Sequence, residues 1–456
     1  MMFAMQSPEA RVLIFGLVTT AIGGAFAWLW FTSLRAVYPR AWARGLRAAA
    51  WGFVALWALT SVGRIAARAL SAPDVLYGPL TVVSTGTLLV VLLTTPLLVG
   101  ARLLIRWFEA RELGQLVARA AAPEAAPEAA PAPAPAPRAS PVEAKAPEVE
   151  AAPDLAGEAA GFTRRALALG AVRAAPVLGV GTAVGGLGEG MTDAVLNEVE
   201  MQFPSLPPAL EGLRILQYSD VHLGQFIDLR EIERLARLGE VAKPDLVVLT
   251  GDIADDLDLL PDAIGLFAGI KPRLGAFASI GNHEYFRGLH KARRAYERGP
   301  VPLLMESGTV IPVGDARLHL AGADDPRFLG LQSRGFFEST VDKALDGGPS
   351  DAFHVLLSHR PEGFDAAKAR GVELTLSGHT HGAQVGFAER SVFEPIMPDR
   401  YLWGPYQQGG ARLYTSSGTG HWMPFRIGCP RELVVITLKR GPADAPAVKR
   451  RLRLTA

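Results

Sequence analysis

The chain has 456 residues, a formal net charge of +1 and 49% hydrophobic residues, with a positive mean hydropathy. That length holds one large α/β domain plus further segments, and the apolar excess is high for a wholly soluble enzyme. Near-neutral charge gives no global basic field, so nucleic-acid binding is not expected, and the single cysteine, Cys429, excludes an intrachain disulfide framework and a thiolate metal site.

In chain order, the apolar excess comes first. Residues 12–34 carry no charge and exceed the roughly 20 residues that a bilayer core requires, so they are read as a membrane span. Residues 75–101 are also uncharged, with Pro79 and Pro96 at the edges or marking a kink, and are read the same way. The stretch 48–63 is shorter and ends at Arg64. It spans if Arg64 and Arg68 reach the interface, and otherwise forms a re-entrant or interfacial helix. These segments make 1–108 an α-helical transmembrane region of about three spans.

Residues 109–161 are Ala-Pro-Glu repeats that cannot bury a core, and proline at this density favours an extended spacer. The segment 162–190 opens with Phe162-Thr163-Arg164-Arg165 and continues as a Gly- and Ala-rich apolar run interrupted by Arg173 and Pro176. It resembles a twin-arginine export signal placed internally, and reads as a fourth span or as an amphipathic helix packed on the enzyme. Arg35, Arg40, Arg44 and Arg47, and then Arg102, Arg106 and Arg111, mark two cytoplasmic flanks of a multi-pass protein in the cell membrane. If 162–190 crosses, the domain that follows is extracytoplasmic; if not, that domain faces the cytoplasm.

Residues 191–456 read as alternating strands and helices, an α/β domain. Strands are expected at 214–219, 245–250, 276–280, 317–321, 353–358, 373–376, 411–416 and 432–438. No long helix separates the last two, which suggests a mixed sheet. Polar motifs follow five of the apolar runs: Asp220-Val221-His222, Gly251-Asp252-Ile253-Ala254-Asp255, Gly281-Asn282-His283-Glu284, Ser358-His359-Arg360, and Gly378-His379-Thr380-His381-Gly382-Ala383-Gln384. Open α/β sheets bind ligands at the carboxyl ends of their strands, which is where these side chains would stand. Carboxylate, imidazole and amide donors without thiolates suit divalent ions such as Mn, Fe, Zn or Ni, and do not choose among them.

In this order the five motifs resemble the calcineurin-like metallophosphoesterase superfamily. The Gly378 to Gln384 stretch and the Ser416-Ser417-Gly418-Thr419-Gly420 tail are similar to its bacterial membrane-associated branch, with YkuE-like and YaeI-like phosphodiesterases. The resemblance covers about 212–438. Two positions depart from it: Ala383 stands where a second glycine is usual, and Arg360 follows His359 where Asn or Asp is common.

The resemblance implies two facing mixed β-sheets flanked by helices. It also implies two divalent ions, one held by Asp220, His222 and His381, the other by Asn282, His359 and His379, with Asp252 bridging both. Two cations about 3.5 to 4 Å apart can activate a shared water and clamp phosphoryl oxygens. His283, beside Asn282, is then a transition-state stabiliser or general acid, or else a hydrogen-bond donor to the ligands, while Asp255 and Glu284 orient them. His421 either borders the substrate or sits in an exposed loop, and the basic cluster from Lys291 to Arg298 is the solvated face of a helix.

The activity so implied is metal-dependent hydrolysis of a phosphodiester or pyrophosphate. A membrane tether favours a phospholipid-like or nucleotide-linked substrate such as the lipid precursor UDP-2,3-diacylglucosamine. The alternatives are a phosphomonoesterase or phosphoprotein phosphatase, or an inactive membrane sensor on the same fold.

Overall fold

The computed structural model describes residues 164–330 and 332–452, with helical pieces of the N-terminal region, the longest at 32–38, 55–63 and 94–111. The expected spans 12–34 and 75–101 and the linker 109–161 fall largely outside these residues. The chain divides into two compact units, 1–58 with 89–181, and 59–88 with 182–456.

In the first unit, Val37, Ala101 and Ile105 pack together with Leu169 and Val172. Polar contacts fix the pieces in place. Trp30 Nε1 donates to Thr95 Oγ1 at 2.7 Å, Arg102 Nη1 to Thr32 Oγ1 at 2.8 Å, and Arg173 Nε to the Val37 carbonyl at 3.0 Å. The twin-arginine-like segment forms a helix, α1 (Arg164–Gly190). Its stretch Leu169–Gly190 is, among the described residues, the one helix long and apolar enough to cross a membrane.

The second unit is built on two six-stranded mixed sheets. The first runs β14 (Val448–Arg451), β1 (Val195–Phe203), β13 (Glu432–Arg440), β2 (Arg214–Tyr218), β3 (Leu246–Thr250), β4 (Ala276–Ser279). The second runs β11 (Gly404–Gln408), β12 (Ala411–Thr415), β8 (Leu374–Ser377), β7 (Phe353–Leu357), β6 (Ala316–Gly322), β5 (Ser307–Val313). β2, β3 and β4 are parallel neighbours, as are β6, β7, β8 and β12, so both sheets send carboxyl ends toward one edge.

The period of two along each strand decides which layer a side chain joins. Ile215, Leu246 and Val248 face Leu320, Val355, Leu357 and Leu376 in a core between the sheets. Their neighbours Leu216, Val247 and Leu249 point the other way, onto α2 (Leu229–Val241), α3 (Leu260–Ala268) and α4 (Asn282–Arg298). Outside the second sheet, Leu356 meets Phe337 and Val341 of α5 (Ser333–Leu345) and Ala367 of α6 (Gly363–Ala369). The Gln217 amide crosses between the sheets, donating to Thr250 Oγ1 and to the Ser377 carbonyl, each at 2.9 Å.

Candidate dinuclear metal site

Every motif expected to carry chemistry sits just past a strand end on this shared edge. Asp220 and His222 follow β2, Asp252 follows β3, and Asn282 and His283 open α4 after β4. From the second sheet, His359 follows β7, and His379 and His381 follow β8. Asp220, His222, Asp252, His379 and His381 all have left-handed backbone, with φ between 49° and 69°. Such a conformation costs a non-glycine residue about 1–3 kcal/mol, and its concentration here marks a functional turn cluster. Gly378 permits a close approach: a Cβ there would lie 1.9 Å from Ser219 Oγ and 2.0 Å from Asp220 Oδ2.

The ligand-type atoms converge. Asp220, His222 and His381 form one group, Asp252, His359 and His379 a second, and His222, Asp252 and His283 a third, with donor atoms within 4.8 Å of one another in each. Asn282 Oδ1 lies 3.2 Å from His359 Nε2, which is also 3.1 Å from Asp252 Oδ2. His381 Nε2 is 3.2 Å from His222 Nε2 and 3.4 Å from Asp220 Oδ1. The structure thus brings together all seven residues expected as ligands.

Neighbouring groups fix these side chains. His359 Nδ1 donates to the Thr250 carbonyl at 2.8 Å, which leaves Nε2 directed at Asp252 and Asn282. Asp220 accepts from Ser219 Oγ at 2.6 Å and from the His379 backbone N–H at 2.9 Å. Glu284 accepts from the backbone N–H groups of Ile253, Asp252 and Gly281 at 2.7 to 3.1 Å, locking the Asp252 loop onto the start of α4. Asp255 Oδ1 lies 2.6 Å from His283 Nδ1, and Asp255 Oδ2 makes a longer 3.4 Å contact with His222 Nδ1. His283 Nε2 is left facing the Asp252 carboxylate at 4.0 Å.

The electrostatics follow from burial set against partners. Burial pushes the Asp252 carboxyl up, but His359, His222 and His283 outweigh it and hold it well below the usual range. Burial lowers His359, yet the Asp252 and Asp220 carboxylates push it up to about 10. Burial likewise lowers His283, and Asp255 and Asp252 reverse the sign and raise it. His381 is held well below its ordinary value by burial, His222 and Arg426, and His379 by burial, His359 and Arg360. Burial and the Asp252 charge raise Glu284 to about 6.

This donor set fits a pair of divalent ions. It offers carboxylates, imidazoles and an amide oxygen, with a backbone carbonyl holding the far nitrogen of His359 as is usual for metal-bound imidazoles. A cavity of about 340 Å³ opens over it, lined by His222, Asp252, Asn282, His283, His379 and Trp422 among others. A larger depression of about 810 Å³ around Arg334, Lys368 and Arg370 touches none of these motifs. Its charges are matched, Arg334 with Glu338 and Lys368 with Asp365.

Several contributors were not expected from the sequence. Arg360, anchored on Asp325 at 3.0 Å, donates from Nη1 to His379 Nε2 at 2.6 Å. Arg426 is fully buried and brings Nη2 to 3.3 Å from His381 Nδ1. No local pattern marks either arginine; the position of Arg360 as a departure from the family pattern was the only signal. His421 is 2% exposed, so it is not an exposed loop residue. The loop after β12 folds inward and carries its ring to 5.8 Å from Phe226. Lys291, Arg293 and Arg298 do lie on the exposed face of α4, where Lys291 pairs with Asp258.

Comparison with known proteins agrees with this geometry. Residues 213–383 match the family model described as calcineurin-like phosphoesterase. An uncharacterized metallophosphoesterase of Aquifex aeolicus is 31% identical over 51% of this chain and 87% of its own length. The uncharacterized metallophosphoesterase YkuE of Bacillus subtilis is 28% identical over 51% of this chain and 82% of its own. A Danio rerio protein described as a transmembrane protein with metallophosphoesterase domain is 30% identical over 53% of this chain, which spans 57% of that relative's length.

Proposed function

Because the chain belongs to the calcineurin-like phosphoesterase family, whose members use two divalent metals, we propose that it is a membrane-anchored hydrolase of a phosphodiester or pyrophosphate. The metal-dependent phosphoric ester hydrolysis rests on the family and on the convergent donor set. The observation that carries the reading is the convergence of Asp220, His222 and His381 on one side and of Asn282, His359 and His379 on the other, linked through Asp252, whose carboxylate lies 3.1 Å from His359 and 3.9 Å from His222 beneath an open cavity.

In this assignment Asp220, His222 and His381 would hold one ion, Asn282, His359 and His379 would hold the other, and Asp252 would serve both. When bound, such a pair polarises the phosphoryl oxygens and lowers the pKa of a water. The protein's own residues supply the remainder. Thr250 and Ser219 fix the orientation of His359 and Asp220. Asp255 holds His283 by Nδ1 and raises its pKa, which favours the doubly protonated ring with a proton on Nε2. That proton faces the cavity, where it can neutralise charge on the departing oxygen.

The apolar helix Leu169–Gly190 and the transmembrane description of the Danio rerio relative support the anchor. A tether raises encounter with bilayer substrates, which favours a phosphoester of a lipid or of a nucleotide-sugar lipid. The test is metal removal. Hydrolysis of bis(p-nitrophenyl) phosphate by the full chain should vanish after chelation and return with Mn or another divalent ion. Full turnover in protein verified to be metal-free would end the reading.

A further inference from the structure

The segment that follows the cavity-wall residues Ala383 and Gln384 carries, with Trp422, an exposed apolar rim that the chemistry does not use. Trp422, which lines the cavity, is 48% exposed, and Phe387, Val392, Ile396 and Met397 are between 44% and 79% exposed. Large apolar side chains grouped at the surface of a soluble protein mark a place where something else covers them. Hydrogen bonds from the Gln384 side chain and from the backbone tie this group to the site. Gln384, also at the cavity wall, bonds the Met423 carbonyl, and Ile427 N–H returns to the Gln384 carbonyl at 2.9 Å. Gly386 N–H bonds the Ile427 carbonyl at 2.7 Å, and Val392 N–H the Val385 carbonyl at 3.1 Å.

The same strip is clamped to the end of α1. Arg426 N–H donates to the Gly186 carbonyl at 2.8 Å, and Gly428 N–H to Glu189 Oε2 at 2.9 Å. The fit is close. A Cβ on Gly186 would lie 2.3 Å from the Phe425 ring, and one on Gly190 would lie 2.4 Å from the Pro424 carbonyl. Only Met191 to Ala194 separate the helix from β1, so no flexible spacer intervenes. A helix able to cross a bilayer therefore ends on the strip 424–428, next to Trp422 and hydrogen-bonded to the segment that carries the rest of the rim. The charges beside the rim are matched, Arg390 with Glu394 at 2.9 Å and Arg400 with Glu362 at 2.7 Å, and tryptophan is a residue that settles at the membrane–water interface.

We propose that this rim docks on the surface of the lipid bilayer, so that the cavity opens at headgroup level and takes phosphoesters still seated in the membrane. The proposal rests on the membrane-anchored reading above and adds which face of the enzyme meets the lipid. It is tested with the full chain in phosphatidylcholine–phosphatidylglycerol vesicles, carrying a nitroxide at Phe387→Cys, Ile396→Cys or Met397→Cys in separate variants. Cys429 is fully buried and does not compete for label. Val310→Cys, in β5 and 38% exposed, is the comparator.

The rim labels should relax strongly with oxygen, which concentrates in lipid, and weakly with a water-soluble nickel chelate; the comparator should show the reverse. A chain that survives carbonate washing in the vesicles, with rim labels as sensitive to nickel as the comparator, overturns the docking face and leaves the anchor standing. A chain released by the wash overturns the anchor and the docking face together. Three independent label positions keep the outcome clear of any one variant's failure to fold.

Discussion

Around Asp220, His222 and His381, two imidazole nitrogens face each other at 3.2 Å and His381 is held neutral. Around Asn282, His359 and His379 the arrangement differs: His359 is held protonated up to about pH 10, and His379 accepts a hydrogen bond from Arg360 at 2.6 Å. A neutral imidazole presents a lone pair, whereas a protonated or hydrogen-bonded one must first give up its partner. The two halves share one carboxylate and nearly the same ligand types, yet the second is the more guarded, by a protonated ring and a close Arg360, where the first has only the longer contacts of His381 with His222 at 3.2 Å and Arg426 at 3.3 Å. Ligand identity alone therefore does not set how readily each half loads.

The harshest test of this comparison is the residue the halves share. Asp252→Asn should abolish turnover and reduce both ion affinities together, read by metal analysis of the purified variant beside its kinetics. Two bound ions with near wild-type turnover would show that Asp252 does not bridge. Next, His283→Ala should retain both ions and lose roughly 10²–10⁴-fold in turnover, as for a general acid-base group. Loss of metal along with activity would make it part of the binding set instead.

The guarded half gives the next prediction. Because His359 is protonated below about 10, loading its ion near neutral pH must release that proton. Affinity at this half should then rise with pH across the neutral range, with proton release seen by calorimetry in buffers of different ionisation enthalpy. Arg360→Asn should tighten the same ion by roughly tenfold or more, since it removes a nearby unit charge and frees His379. Equal pH dependence at both halves, or weaker binding in the arginine variant, would erase the distinction between them. The smallest effect is expected at Ala383, which has a φ of 51°. Ala383→Gly should relieve left-handed strain and raise unfolding stability by up to about 1 kcal/mol in denaturant titration, and no gain would mean that the turn is not strained there.

What the sequence disclosed follows the same physics. β2, β3, β7 and β8 were legible because each is a short, nearly unbroken apolar run ending in a motif, and their observed limits fall within a residue or so of expectation. β1 was not, because Glu198 and Glu200 interrupt its apolar pattern and its parallel partner β13 lies more than two hundred residues away. The same holds for β14, which is charged and pairs at the sheet edge. The ligands were readable from residue type and order. Arg360, Arg426 and the burial of His421 were not, since each acquires its role from a contact that exists only after the strand ends converge.

Gln217 shows what that convergence entails. Each half of the site draws residues from both sheets, Asp220 and His222 with His381 in one, Asn282 with His359 and His379 in the other. The Gln217 amide is a clasp between the sheets directly beneath, reaching Thr250 and Ser377 at once. Bound ions would rivet the same seam from above, so that whatever fills the site also holds the sandwich shut, and emptying it leaves that seam to the direct bonds across it, Gln217 to Ser377, His359 to Thr250 and His379 to Asp220, over the apolar layer beneath.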